Sequence, residues 1–389
     1  MTEVLSNIQT YSVKLTTRND LEIDITDICL VFNIYQSLLS RKFLTGRMIL
    51  LDTSDLIVNL PIIGFEKVTI SVSNSYDTSE QIYDFRIYKI DRDSGPLKNF
   101  QKMKILNVYL YTEEEFRNYT KISKKFSGTG EFIIQELISN HLLSSKDLNS
   151  DTDSSSIDFV SNFWDVDKCI DYVSRKTEGS YSDYIFYENN HGYNFKSLSQ
   201  LYEEQAKTTI KFDISKSGIY NIDNAYLHQF NGYFDDLLWR KKGLFGTTKY
   251  TILDEYGYQL DEKEISDLDS EIYIGGLNRS YNDERDSLNN IYTDRGTPDD
   301  INLIRTTHLN LVSRYPLVVN LDGDIDRNVG ELYELDFPAL ENESTVSDSF
   351  SGNWLALEIN TSIYNNNEFK QNILLAKNSL FNNKKLNTY

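Results

Sequence analysis

Few residues in this chain have a claim to chemistry, and each has a packing reading beside it. Gly128-Thr129-Gly130 precedes a run with helical spacing. A phosphate-cradling loop has that form, because glycines let backbone N–H groups approach an anion at a helix start. The third glycine of that pattern would fall at 133, which is Ile133, and no buried parallel strand precedes it. A plain turn into a helix is therefore expected. Asp322-Gly323-Asp324-Ile325-Asp326 sets carboxylates at alternate positions, as calcium loops do. Arg327 stands where such a loop needs glycine and no Glu closes it, so a tight turn between two strands is expected, with Asp322-Gly323 as its hairpin pair.

His141, His191, His228 and His308 are scattered, and none pairs with another at metal-ligand spacing. A Gly-x-Ser-x-Gly elbow is absent. Cys169 falls mid-stripe on an apolar helical pattern, which favours packing over reactivity. Cys29 and Cys169 are the only cysteines, too few for a disulfide framework or a thiolate metal site, and two buried thiols are expected. Asp235-Asp236 and Glu203-Glu204 are carboxylate pairs of the kind glycoside hydrolysis uses, but sequence spacing does not set their separation in space, and solvated acids are the expectation. No catalytic, cofactor-binding or metal residue is assigned, and the chain is not expected to be an enzyme.

The elements that would position these residues change period along the chain. Tyr11, Val13 and Leu15, then Leu21, Ile23 and Ile25, then Val68, Ile70 and Val72, then Tyr83, Phe85 and Ile87 alternate with polar neighbours, and Val108 and Leu110 close the region. Period-two patterning buries one face of a strand, so the first third reads as a small antiparallel barrel or sandwich. Turns are expected at Asn74-Ser75 and Asp93-Ser94-Gly95-Pro96. Helical spacing then appears over 131–142. It returns in Val166, Cys169, Ile170 and Val173, with Ser161 or Asn162 as the expected cap. Between these lies Ser144 to Ser156, read as an exposed loop. A strand at Tyr184 to Tyr187 and a helix at Leu198 to Glu204 complete an α+β region. Strand patterns resume from about residue 207, at Leu317-Val318-Val319, Glu331 to Leu335 and Trp354 to Ile359.

Composition bounds the answer. The chain has 389 residues, enough for two to four domains. Hydrophobic residues make up 40% and charged residues 25%, so a real core forms and global disorder is excluded. Aromatics reach 13%, with 27 Tyr and 20 Phe, which leans toward strands. The net charge of −20 disfavours a generic grip on phosphate backbones. Residues 254–300 hold 14 acids against 4 bases, half of that net charge, and read as a surface insertion. No secretory leader or membrane-spanning run is evident, and the last residues read as a frayed tail.

One resemblance runs through the chain in order. Phe43-Leu44-Thr45-Gly46-Arg47-Met48-Ile49-Leu50-Leu51-Asp52 leads into Leu60-Pro61-Ile62-Ile63-Gly64-Phe65-Glu66-Lys67-Val68-Thr69-Ile70. This resembles the first barrel of the baseplate central hub proteins of contractile-tailed phages, where a strand with Gly and Asp precedes a Pro–Gly–Glu stretch. Ser161-Asn162-Phe163-Trp164 before the 166–173 helix, and Tyr184-Ile185-Phe186-Tyr187 before Gly192-Tyr193-Asn194-Phe195, are similar to the hub's intermediate domain. His228-Gln229-Phe230-Asn231-Gly232-Tyr233, with Lys249-Tyr250 and Tyr256-Gly257-Tyr258, resembles the approach to a second barrel. The segment from Leu321 to Tyr333 resembles its hairpin, and Ser351-Gly352-Asn353-Trp354-Leu355-Ala356 its closing strand. Residues 254–300 match poorly.

The resemblance implies a β-rich α+β fold with two antiparallel β-barrels of tail-tube type. The first would be 1–113, an α+β intermediate domain 114–206, and the second 207–253 with 301–380. The acidic insertion at 254–300 and a flexible tail at 381–389 complete the chain. It implies a structural virion protein of the tail baseplate, made in the host cytoplasm. Three copies would join a six-fold tail tube to a three-fold spike, with the tube, spike, wedge and tape measure proteins as partners. Genomic DNA would pass through without specific binding, along a channel lined by some of the acids. Membrane piercing and wall cleavage would belong to a separate partner. The assembly candidates are Gly46, Pro61, Gly64, Glu66, Trp164, Gly232, Tyr233, Gly323, Gly352 and Trp354. The glycines are expected at turns or close strand contacts, the tryptophans as buried anchors. Glu66 reads equally as a solvated strand-end acid or an inter-subunit contact. Two other classes compete: a carbohydrate- or receptor-binding virion protein using its Tyr-rich surface, and a cell-wall glycoside hydrolase.

Overall fold

The computed structural model describes residues 8–52, 62, 64–74, 80–93, 104–151, 156–179, 183–211, 224–232, 247–253, 259–266, 287–292, 309, 312, 315–336, 338–339, 342–346, 351–365 and 368–377. The first third forms seven strands: β1 (Ile8–Thr16), β2 (Glu22–Asp24), β3 (Cys29–Ser37), β4 (Thr45–Asp52), β5 (Lys67–Asn74), β6 (Glu80–Asp93) and β7 (Lys104–Tyr111). All their pairings are antiparallel, in the order β3-β4-β7-β6-β5-β1-β2. The alternating residues do what their period requires. Val13, Leu15, Val68, Ile70, Phe85 and Leu110 share one core with Phe32 and Met48. Strands at opposite ends of the order thus meet over the same apolar cluster, so the sheet is curled.

The middle of the chain holds α1 (Glu113–Asn118), β8 (Lys121–Gly128), α2 (Gly130–Leu137), β9 (Leu148–Ser150), β10 (Ile157–Asp165), α3 (Val166–Lys176), β11 (Tyr184–Asn189), β12 (Gly192–Ser197) and α4 (Leu198–Glu203). A π-helical turn, Ile138–Leu142, extends α2. The apolar stripe of α3 is buried as its spacing requires, and it packs with α2 and β11 in a separate core. Two expectations are corrected here. The cap of α3 is Asp165, whose Oδ1 accepts from Lys168 N at 3.0 Å. Ser161 instead lies within β10, bridging to β8: its Oγ accepts from Lys124 N and donates to Lys124 O. The stretch from Ser144 is not simply an exposed loop. β9 pairs in parallel with β12, and the buried Asp151 accepts from Ser197 N at 2.8 Å.

The remainder supplies β13 (Thr208–Lys211), β14 (Asn224–Gly232), β15 (Thr247–Leu253), β16 (Gln259–Ser266), β17 (Ser287–Tyr292), β18 (Tyr315–Asp322), β19 (Leu332–Asp336), β20 (Pro338–Ala339), β21 (Asn342–Val346), β22 (Gly352–Tyr364) and β23 (Phe369–Lys377). Pairings run β19-β13-β14-β18-β23-β22, and β22 pairs back onto β19, so the cycle returns on itself. Leu317, Val319, Leu332, Trp354, Ile359 and Ile373 fill its core. β18 and β19 are not partners, which corrects the expected hairpin at Asp322-Gly323. β18 lies between β14 and β23, so residues 323–331 are a crossover. The expected acidic insertion contributes β16 and β17 to a separate three-stranded sheet around β15.

The two strand systems are continuous. β22 pairs antiparallel with β3 from Glu358↔Ser37 to Tyr364↔Val31, making one thirteen-stranded sheet. Core residues cross this seam. Leu38 belongs to the cluster of the last third, and Ile363 and Phe369 to that of the first. Among the described residues, no helix is long and apolar enough to cross a membrane.

Candidate functional site

The three cores meet at a polar junction built on the two-residue turn between β11 and β12. Asn190 is its centre. Its Oδ1 accepts from Gln36 Nε2 at 3.0 Å and from the Tyr83 hydroxyl at 2.9 Å. Its Nδ2 donates to Ile325 O at 2.6 Å, its N–H to Asn328 Oδ1 at 3.0 Å, and its carbonyl accepts from Gln81 Nε2 at 3.0 Å. Gln36 completes the bridge, for its Oε1 accepts from Val329 N at 3.2 Å. One asparagine therefore bonds both strand systems from the middle region. Gly330 sits beside it at φ +81°, and a Cβ there would lie 2.4 Å from the Tyr187 hydroxyl.

A charged cluster lies next to this turn. Lys146 Nζ is 2.7 Å from Glu188 Oε1 and 3.1 Å from Glu114 Oε1, and Glu188 Oε2 accepts from Leu44 N at 2.9 Å. Burial pushes the Glu188 carboxyl up, and Lys146 only partly offsets it. Burial alone would lower Lys146, but Glu188 and Glu114 outweigh it and hold the ammonium's pKa above its ordinary value. Glu114, also penalised by burial, is carried below the usual carboxylate range by Lys146 and Ser144. A cleft of about 560 Å³ opens here, with Tyr83, Glu114, Lys146 and Asn190 in its wall. Lys146, Glu114 and Glu188 bond one another, and Glu188 bonds the Leu44 backbone, so the cluster holds the first strand system against the middle region.

The expected site residues are dispersed over the fold. Gly46 lies in β4, where a Cβ would come within 3.3 Å of the Phe32 ring. Gly64 and Gly352 adopt φ +103° and +105°. Glu66 is neither solvated nor available to another subunit. It is buried, and its carboxylate accepts from Gly64 N at 2.9 Å across the turn. Trp354 is fully buried. Trp164 is only half-buried, because a bulge between Ser161 and Trp164 turns the strand outward, and it stacks against Phe159 with Lys168 over its ring. Gly323 donates to Phe369 O at 2.8 Å, and a Cβ there would stand 2.2 Å from the Phe369 ring. Gly232 ends β14 opposite Leu317. Pro61, Tyr233, Asp235, Asp236, His308, both expected turns (75 and 94–96) and the tail lie outside the described residues.

Several of the candidate motifs fall on described residues with structural partners. Thr129 caps α2 by accepting from Phe132 N at 3.3 Å, as a helix-start turn requires. Cys29 and Cys169 are free and buried, and burial pushes each thiol up to about 11. Glu204 pairs with Lys196 at 2.8 Å. Among the described residues, no grouping of three His, Cys, Asp or Glu could hold a metal ion. Sequence reasoning missed Gln36, Asn190 and Glu188. For Gln36 and Glu188 the one available signal was a polar residue inside an apolar strand run.

The architecture is shared with solved structures. A tail protein from Neisseria meningitidis MC58 superposes with a TM-score of 0.60 at 8% identity, over 95% of this chain and 98% of that one. The 43 kDa tail protein of prophage MuSo2 from Shewanella oneidensis gives a TM-score of 0.60 at 8% identity, over 95% and 99%. This chain has the fold of these tail proteins. The likeness spans both strand systems and the middle region together, so their order is a property of the fold. No family model matches the chain, and no curated protein matches it.

Proposed function

We propose that the chain is a structural protein of a phage-type tail, the central hub of a contractile baseplate, with no catalytic role. One observation carries the reading. Two curled strand systems, joined edge to edge through β3 and β22, occur in one chain whose fold is shared with tail proteins along 95% of its length. Each system is read as a tube-type barrel, so three copies offer six barrels to a six-fold tube while keeping three-fold symmetry for a spike. Tube, spike, wedge and tape measure proteins are the partners of this reading.

The conduit wall is assigned to the sheet face turned away from the cores. On that face Asn320, Asn372 and Asn360 stand in register across β18, β23 and β22. Amides there hold phosphate weakly, and the net charge of −20 adds long-range repulsion, so DNA slides.

Native mass by light scattering over a wide concentration range tests the assembly. The expected species has three times the 45.2 kDa chain mass. A strict monomer that also fails to co-purify with its spike would sink the reading.

A further inference from the structure

We propose that the cleft beside Asn190 takes an extended segment of another tail protein, which adds as a strand to the open edge of β6 at residues 80–85. This names a slot that the assembly reading above does not, and rests on that reading for the kind of partner.

The edge follows from strand register. β6 changes partners midway along its length: Glu80 to Arg86 pair with β5, and Arg86 to Asp93 with β7. β7 ends at Tyr111, opposite Arg86, where the chain turns away into α1. Among the described residues no strand continues the β7 track alongside 80–85. On the β5 side, the Ile87 N–H donates to Glu66 O and the Ile87 carbonyl accepts from Phe65 N. The register from Glu80 to Arg86 is unbroken, so alternation aims the N–H and C=O of Ile82 and Asp84 to the opposite side. Neither N–H has a partner among the described residues.

That edge lines the cleft of about 560 Å³, whose other walls come from the start of α1, residues 143–147 and the turn between β11 and β12. An open edge is normally guarded by a charge. Asp84 is the charged residue here, but its carboxylate is drawn onto β5, to Thr69 Oγ1 at 2.7 Å and Lys67 Nζ at 2.9 Å. Ile82 and Leu143 both line the cleft, and they are 56% and 61% exposed. Leu143 takes φ +52°, a left-handed position that favours glycine. Arg117 holds it there, donating to Leu142 O at 2.9 Å and to Leu143 O at 3.2 Å. Thr112, also in the wall, is buried, and its hydroxyl has no partner among the described residues. Free backbone groups at alternate positions call for another backbone. A cleft of this volume holds one short strand, not the edge of a second folded sheet, so the occupant is an arm or linker. It carries apolar side chains at alternate positions, to meet Ile82 and Leu143, and no proline where it pairs.

Hydrogen exchange tests this, on the full chain alone and on tail particles purified from the cells that make it. The Ile82 and Asp84 amides should exchange freely in the isolated chain and at least about tenfold more slowly in the particle. A photo-reactive residue replacing Ser145, in the cleft wall, should join the chain to one short run of a different tail protein. Ile82→Pro deletes the free N–H and leaves the β5 ladder intact, so that cross-link should fall about tenfold. Leu143→Glu, at an exposed position, should lower it as well without changing the melt of the isolated chain. Unchanged exchange in particles that contain the chain would overturn the slot and leave the hub reading standing. Tail particles without the chain would overturn both. Cross-links to a second copy, with the edge already protected as the isolated chain self-associates, would assign the slot to self-assembly and overturn the proposal. A cross-link undiminished by both substitutions would overturn strand addition.

Discussion

Gln36 and Asn190 are 154 positions apart, and the Gln36 amide donates to Asn190 Oδ1 at 3.0 Å where all three cores converge. Gln36 is buried, and both ends of its amide are occupied, by Asn190 and by the N–H of Val329. A polar bridge of this kind fixes relative placement, because its geometry is satisfied in one arrangement only.

Asn190→Ala should therefore act on the whole chain. It strands the Tyr83 hydroxyl and the Gln36 amide, at about 1–3 kcal/mol for each buried group left unpaired. We expect a loss of about 3 kcal/mol in denaturant unfolding, with the three regions losing cooperativity. A loss below about 0.5 kcal/mol would show that the bridge contributes nothing net.

The Lys146 cluster predicts a pH signature. Lys146 has a raised folded pKa, so its contribution is complete below its unfolded value and is lost as pH rises through the folded one. Glu114 is lowered, so its share is lost as pH falls through its folded value. Lys146→Met leaves Glu188 buried and uncompensated, at about 3–5 kcal/mol at pH 7. The deficit should shrink as pH falls and Glu188, already pushed up by burial, takes a proton. A deficit independent of pH would remove the electrostatic account.

Lys377 predicts the opposite trend. Its ammonium is buried, donates to Ser351 O at 2.8 Å and lies 5.2 Å from the Trp354 centroid. Burial pushes its pKa down to about 8. Between there and the unfolded value of about 10.4 the unfolded chain binds more protons, so stability rises with pH. Lys377→Met should add about 1–2 kcal/mol at pH 7 and abolish that slope. Thermal melts from pH 7 to 10.5 check both.

Gly323→Ala should cost about 1–3 kcal/mol, since the new methyl meets the Phe369 ring. Phe369→Leu in the same chain should recover part of it. Equilibrium unfolding of both single variants and the pair gives the coupling, and strict additivity would mean that the ring does not set the choice of glycine.

What could be read from the sequence was local. The alternation of Val13 and Leu15, or Val68 and Ile70, gave strands with the correct buried face, because period two acts within one strand. The stripe of Val166, Cys169, Ile170 and Val173 gave α3 for the same reason. Pairing partners are a tertiary choice. Asp322-Gly323 has hairpin chemistry, yet β18 takes β14 and β23 as neighbours, and Gly323 serves Phe369 instead. Glu66 read equally as a solvated acid or an inter-subunit contact, because its burial depends on a turn that folds the carboxylate onto Gly64 N. The Asn190 bridge left no trace in Glu188-Asn189-Asn190-His191-Gly192, since its partners lie in segments far away along the chain.

The β3–β22 seam has a mechanical consequence. Its bonds lie across the strands, and the register runs unbroken through seven residues on each side. A pull along the strand axis loads these bonds in parallel, as shear, and must break them together. A pull across it peels them one at a time. The chain is thus stiff along one axis and weak along the perpendicular, so a thrust delivered to one strand system along that axis reaches the other with little slack.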